Sequence, residues 1–242
     1  MSEKVIPYKN STESKKEQVA TMFNNIAPKY DFLNQLLSLG IHKGWRRKTI
    51  QLIAHNQPKN ILDIATGTGD FAIEAMKLNP DRVIGVDISE GMLKLGIEKI
   101  KKLNLQDKID LKLGDSENLP FDNNSFDAVT VGFGVRNFEN LEKGIQEIYR
   151  VINHGGTFAV LEFSKPKKFP IKQLYNFYFK YITPAVGKLF SKDASAYTYL
   201  PESVNAFPDG DAFLTILRKA GFKDCKSIPV TFGIASIYIG TK

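Results

Sequence analysis

The chain has 242 residues, 43 % of them hydrophobic and 24 % charged, a balance that excludes a disordered, collagenous or fibrous protein and points to an ordinary globular one. The net charge of +7 suits an acidic ligand, an anionic membrane surface or RNA, and equally suits plain solubility. A lone cysteine, Cys225, excludes an intrachain disulfide, and His42, His55 and His154 stand too far apart for a zinc site.

In chain order, Met1 to about Lys15 reads as a frayed polar segment with no apolar leader, and no later stretch approaches the eighteen or so apolar residues of a membrane span. The expectation is a metal-free protein of a bacterial cytosol. Val19, Met22, Phe23 and Ile26 recur at helical spacing, and with Asp31–Asn34 and Trp45–Ile53 they predict short helices over the first fifty-odd residues. From Asn60 the texture changes. Ile61–Ile64, Arg82–Asp87, Ile109–Leu113, Phe126–Val131 and Gly156–Leu161 read as strands, with helical patterns at Asp70–Leu78, Glu90–Leu103 and Leu141–Ile152 between them. Such βαβ alternation predicts an α/β fold with a parallel sheet covered on both faces. The segment Lys167–Lys192 is rich in Phe, Tyr and Lys, a composition that suits either an interfacial helix or an ordinary packed one. A helix at Asp209–Ala220 stopped by Gly221, then strands at Ser227–Phe232 and Ile234–Gly240, predict a terminal hairpin. The chain thus divides into a helical cap (1–55), a cofactor-binding core (56–166), a substrate lid (167–208) and a terminal helix with strands (209–242).

The loop Asp63-Ile64-Ala65-Thr66-Gly67-Thr68-Gly69-Asp70 joins the first strand to a helix, and its glycines permit a tight turn and close approach of a ligand. Gly67 to Ala72 fits G-x-G-x-x-A, and Asp87 follows twenty residues after Gly67 at the end of the second strand, where an acid binds ribose hydroxyls. A nicotinamide cofactor and S-adenosylmethionine both satisfy that pattern. Asp63 favours the latter, because a carboxylate repels a pyrophosphate and attracts the ammonium of a methionine moiety. Asp115 and Ser116, after the third strand, form a polar pair suited to an adenine edge, in a Gly-Asp…Leu-Pro-Phe…Phe-Asp arrangement typical of class I methyltransferases.

Further segments carry a resemblance over nearly the whole chain. They are Met22–Asp31 with Asn34, Leu37–Arg47, Phe133-Gly134-Val135-Arg136-Asn137, Arg150-Val151 before Gly155-Gly156, Leu161–Pro166, and Tyr197–Ser203 before Phe207-Pro208. The chain resembles the ubiquinone/menaquinone biosynthesis C-methyltransferases, which methylate a ring carbon of a polyprenylated quinol with S-adenosylmethionine. The resemblance implies a class I fold, Rossmann-like, with a mostly parallel seven-stranded sheet, helices on both faces and a terminal antiparallel hairpin. It implies cofactor contacts at Thr66, Asp87, Asp115, Ser116 and Gly132, joined from the loop by Asp63, Gly67 and Gly69. Many family members have Gly in place of Thr66, and some have Ser in place of Gly132, so contacts there are expected through backbone.

The carboxyl-end face of the sheet places Arg136 and Asn137 at the quinol, with Tyr197, Tyr199, Tyr30, Asp31 and His42 as lesser candidates for the catalytic site. For His42 a structural role is the better reading; for Arg136 the competing one is an ion pair that pins a loop. The favoured substrate is demethylmenaquinol, giving menaquinol, with a polyprenyl benzoquinol as the alternative. A protein at the inner face of the cell membrane suits such a substrate, and homo-oligomerisation stays open. An RNA or DNA methyltransferase would share the core, but Gly132-Phe133-Gly134-Val135 lacks an Asn/Asp-Pro-Pro-aromatic motif and Cys225 lies far from a cytosine nucleophile's position, so no nucleic-acid partner is expected. A dehydrogenase or a non-catalytic binding module are further alternatives.

Overall fold

The computed structural model describes residues 5–183, 185, 193 and 195–242. Among them, β1 (Asn60–Ile64), β2 (Arg82–Asp87), β3 (Ile109–Leu113), β4 (Phe126–Gly132), β5 (Ile152–Phe163), β6 (Lys223–Val230) and β7 (Ala235–Thr241) form one sheet in the order β3-β2-β1-β4-β5-β7-β6. β1 to β5 pair in parallel, and β7 runs antiparallel to both its neighbours. The terminal hairpin is therefore present, with its second strand slotted between β5 and β6. β1 and β2 are buried at every position after the first, as strands covered on both faces must be.

Among the described residues the α-helices are α1 (Lys15–Ser38), α2 (Ile41–Ile53), α3 (Asp70–Ala75), α4 (Glu90–Lys102), α5 (Leu141–Val151), α6 (Ile171–Phe177), α7 (Ser195–Ala206) and α8 (Asp211–Lys219). Ile145 and Ile148 of α5 and Phe213 and Leu217 of α8 pack with Phe158 and Tyr238 on one face of the sheet. Ile50 and Ile53 of α2, Ala72 of α3 and Ile100 of α4 join Ile61 and Val83 on the other.

The N-terminal region departs from expectation. In place of several short helices stands one helix of 24 residues, started by a Ser14–Glu17 capping box and running through Pro28. Proline removes one helical hydrogen bond, which reads locally as a break. Burial overrides it: Val19, Met22, Ile26 and Leu33 form a cluster with Met92 of α4 and Tyr197 and Tyr199 of α7. The described residues before α1, from Val5 on, are held in place rather than frayed. Pro7 is buried, the Tyr8 amide donates to Gln18 Oε1 at 2.9 Å, and the Tyr8 hydroxyl donates to Asp193.

α6 continues as a π-helical turn over Tyr178–Ile182, whose Tyr178 hydroxyl donates to the Leu37 carbonyl of α1 at 2.7 Å. This bond ties the segment anticipated as a lid to the cap. The rest of that segment at 184, 186–192 and 194 lies outside the described residues. No described helix is long and apolar enough to cross a membrane.

Candidate active site

A crevice opens outside the carboxyl ends of a doubly wound sheet where strand order reverses, here between β1 and β4. Directly after β1, Ala65 and Gly67 adopt left-handed φ of 53° and 57°, and Gly69, at 79°, begins α3. The turn is closed by Thr66 N–H donating to the Val86 carbonyl at 3.0 Å and Gly69 N–H donating to the Thr66 carbonyl at 2.9 Å. Gly67 N–H donates at 2.8 Å to Asp87 Oδ2, while Asp87 Oδ1 accepts from Ser89 N–H at 2.8 Å. Burial pushes the Asp87 carboxyl up, against the pull of those donors. An ionised carboxylate has about four acceptor sites. Asp87 therefore keeps acceptor capacity for the cavity it borders with Gly67, Ile88, Gly114, Asp115 and Ser116. An acid for vicinal hydroxyls, a polar pair for a base edge and an apolar wall together fit an adenosyl group.

That first cavity is narrow, about 60 Å³, and Lys16 of α1 reaches across it. The ammonium lies 2.5 Å from Asp115 Oδ2 and 3.9 Å from Glu117, and Asp115 Oδ1 accepts from Glu117 N–H at 2.9 Å. Asp115, read from sequence as an adenine contact, is thus paired with a lysine.

Asp63 is buried in β1, where Thr66 and Thr130 hydroxyls donate to its two oxygens at 2.5 Å and 2.7 Å. Burial pushes this carboxyl up to about 7, with the two hydroxyls and Arg46 pulling it back. Asp63 thus braces Thr66, and both border the larger of the two cavities. Gly69 borders neither cavity among the described residues. A Cβ there would touch Leu111 and Ile100 at 3.4 and 3.6 Å, so Gly69 serves the turn and the packing of α3. Gly132 borders both cavities, and a Cβ on it would stand 2.4 Å from the Phe71 ring.

The second cavity measures about 450 Å³, within the range of small-molecule sites, and lies among α1, α2, the loops after β1 and β4, α6 and α7. It meets the first at Phe23, Tyr30, Ala65, Gly67, Gly132 and Phe133. Phe133, like Ala65, holds a left-handed φ, 55°, so both walls of the junction carry backbone that most residues avoid.

Arg136 sits on a 3₁₀ turn, Val135–Asn137, that follows β4. Its Nη1 donates to Glu162 Oε1 at 2.8 Å and to the Phe133 carbonyl, with the guanidinium almost buried and the carboxylate wholly so. The ion pair anticipated as the structural reading is present, and Arg136 nonetheless borders the second cavity. Tyr199 borders it too and donates at 3.2 Å to Asn137 Oδ1, while Asn137 faces the first cavity. Burial pushes the Tyr199 phenol up to about 12. Tyr197, Tyr30 and His42 line the same space. His42 Nδ1 contacts Ser38 Oγ at 2.5 Å, and burial lowers its pKa. Asp31 borders neither cavity; it pairs with Lys99 at 2.6 Å and accepts from the Thr68 hydroxyl at 2.7 Å. Sequence reasoning missed Glu162, although an acid within the apolar run Ala159–Phe163 was a visible signal, and it missed Lys16 and Tyr175, which carry no local one.

This sheet order, with a glycine turn after β1 and an acid ending β2, defines a class I S-adenosylmethionine-dependent methyltransferase fold. A SAM-dependent methyltransferase from Thermotoga maritima superposes with a TM-score of 0.61 at 20 % identity, covering 92 % of this chain and 99 % of that one. The sequence model of the ubiE/COQ5 methyltransferase family matches residues 11–242, and the chain belongs to that family. Similar relatives include a demethylmenaquinone methyltransferase from Bacteroides fragilis, 49 % identical over 99 % of this chain and 98 % of its own. Another, from Geobacter sp. strain M21, is a ubiquinone/menaquinone biosynthesis C-methyltransferase, 44 % identical over 94 % of this chain and 97 % of its own.

Proposed function

We propose that this protein transfers a methyl group from S-adenosylmethionine to a ring carbon of demethylmenaquinol, giving menaquinol. The observation that carries the reading is the 450 Å³ cavity: it is largely apolar, holds one buried guanidinium, and opens beside the glycine loop. The 49 % identity to a demethylmenaquinone methyltransferase favours the naphthoquinol over a benzoquinol.

S-adenosylmethionine supplies, when bound, a sulfonium-activated methyl. Asp87 would hold the ribose hydroxyls, Asp115 and Ser116 would meet the adenine edge, and Thr66, Gly67 and Gly132 would line the path to the junction. In-line transfer then depends on alignment and on excluding water, both supplied by apolar walls. The ring carbon is nucleophilic only in the reduced quinol, most of all as the phenolate. Arg136, with five N–H donors, is placed to stabilise charge at the ring oxygen, and Asn137 and Tyr199 fix the edge of that site.

The mouth of the cavity supports a peripheral seat on the inner face of the cell membrane, through which a polyprenyl tail enters. Leu39 and Leu174 line the cavity yet are largely exposed, Phe169 and Phe177 stand exposed nearby in sequence, and Lys43, Lys167, Lys168 and Lys172 flank them. Apolar side chains with basic neighbours match an anionic lipid surface.

The test is incubation of purified protein with S-adenosylmethionine and either reduced or oxidised demethylmenaquinone. Methylated product from the reduced form alone is expected. Equal rates with both forms would exclude the nucleophilic ring carbon, and preference for a demethylated benzoquinol would reassign the substrate.

A further inference from the structure

Three buried side-chain atoms lack a hydrogen-bond partner among the described residues: Arg136 Nε, Glu162 Oε2 and the Tyr175 hydroxyl. Orphaned buried polar atoms are rare, and each costs roughly 1–3 kcal/mol unless something unseen satisfies it. These three are not scattered. Arg136 and Glu162 form one ion pair, Arg136 and Tyr175 border the same cavity, and burial together with the Glu162 charge pushes the Tyr175 phenol up. Phe163 bridges the group, with the Arg136 guanidinium 5.7 Å from its ring and Phe179, its ring tilted against that of Tyr175 at 4.4 Å, on its other contact at 5.9 Å. Two donors and an acceptor in an apolar shell are what one buried water requires, since such waters make two to four hydrogen bonds.

Resting on the quinol reading above, we infer that Arg136 Nε, Tyr175 and Glu162 hold a single buried water through which Glu162 accepts the proton that the methyl group replaces. The chemistry needs such an acceptor. When the new carbon–carbon bond forms and the carbon–sulfur bond breaks, the ring carbon carries both a methyl and a hydrogen. Its C–H bond then breaks, the electron pair restores the aromatic ring, and the proton passes to the water, which gives one of its own to Glu162 Oε2. Glu162 later returns a proton to the ring oxygen or to solvent, so the carboxylate is regenerated and no oxidant is consumed. Glu162 Oε1 is unsuited to this role, being held by Arg136 and by Phe163 N–H at 2.8 Å each. Acting through water, Glu162 and Tyr175 are positioning residues.

Two measurements on the full chain test this. A crystal structure of the unliganded protein should show a water within hydrogen-bonding distance of all three atoms, and Tyr175→Phe should weaken or empty that position. In kinetics with quinol deuterated at the methylated carbon, the unaltered protein should show little isotope effect. Glu162→Gln should lower kcat by about 10²-fold or more, the usual worth of a placed proton acceptor, and should make a deuterium effect appear while cofactor affinity stays within about twofold. Glu162→Gln leaves Arg136 without its anion and can unfold the protein, so Tyr175→Phe, which spares the pair, must show the same emerging isotope effect with a smaller loss. Slower turnover without an isotope effect in both variants would mean that Glu162 only orients Arg136, and a dry niche would equally overturn the proton path. No methylation of the quinol by unaltered protein would overturn the quinol reading, and this path with it.

Discussion

Replacing Asp63 by Asn should make the protein more stable at neutral pH and change how its stability responds to acid. Asp63 is wholly buried, and burial pushes its carboxyl from 3.8 up to about 7 even though two hydroxyls donate to it. From about pH 4 to about pH 7 the folded protein therefore keeps a proton that the unfolded chain has released. The folded state binds more protons, so the contribution of Asp63 to stability is full below that window and falls as pH rises through it. Each pH unit of displacement is worth ~1.4 kcal/mol, which sets a ceiling of about 4 kcal/mol between the two ends. An asparagine does not titrate. Its amide oxygen accepts from one threonine and its NH₂ donates to the other hydroxyl, so packing and hydrogen bonds survive. The measurement is urea unfolding of both proteins across the window, compared pairwise so that other titrating groups cancel. The variant should gain on the parent steadily as pH rises, then run parallel above about pH 7. A constant difference at all pH values would show that Asp63 stays ionised in the fold, and the burial argument would fail.

Asp87→Asn should weaken S-adenosylmethionine binding by roughly ten- to a hundredfold in a calorimetric titration, because charge-assisted hydrogen bonds are worth roughly 1.5–3 kcal/mol and the amide NH₂ now opposes one of two N–H donors. An unchanged dissociation constant would remove Asp87 from the cofactor site. Arg136→Ala should lower kcat by ~10²–10³ with little change in cofactor affinity, and Arg136→Lys should recover part of it, since lysine restores charge but not the planar fork. A melting curve must accompany those kinetics, because the alanine leaves Glu162 buried without its cation. Gly132→Ala should lower stability by about 1–3 kcal/mol, since its Cβ falls 2.4 Å from the buried Phe71 ring; an unaltered melting temperature would mean that α3 shifts freely.

The sheet was legible because parallel strands buried on both faces must be apolar runs. The second and third expected strands, Arg82–Asp87 and Ile109–Leu113, coincide with β2 and β3. The slotting of β7 between β5 and β6 was not legible, since a hairpin has the same sequence whichever of its strands lies inside. α1 reads as pieces in sequence because Pro28 is a local signal, whereas the contacts that carry the helix past it come from α4 and α7, far along the chain.

The site divides along the same line. Positions that answer to a local constraint, such as the left-handed glycine at 67 or the acid that ends β2, announce themselves within a few residues. What Asp115 and Arg136 do depends on partners 99 and 26 residues away, Lys16 and Glu162, and no window of sequence contains those pairs. The two pairings also carry different physical weight. Lys16 and Asp115 are each about a third exposed, so water screens their attraction and the lysine withdraws at small cost. Arg136 and Glu162 are all but dry, and parting them would strand a charge in a medium that cannot solvate it. The first ion pair therefore opens at small cost, whereas the second holds its guanidinium still.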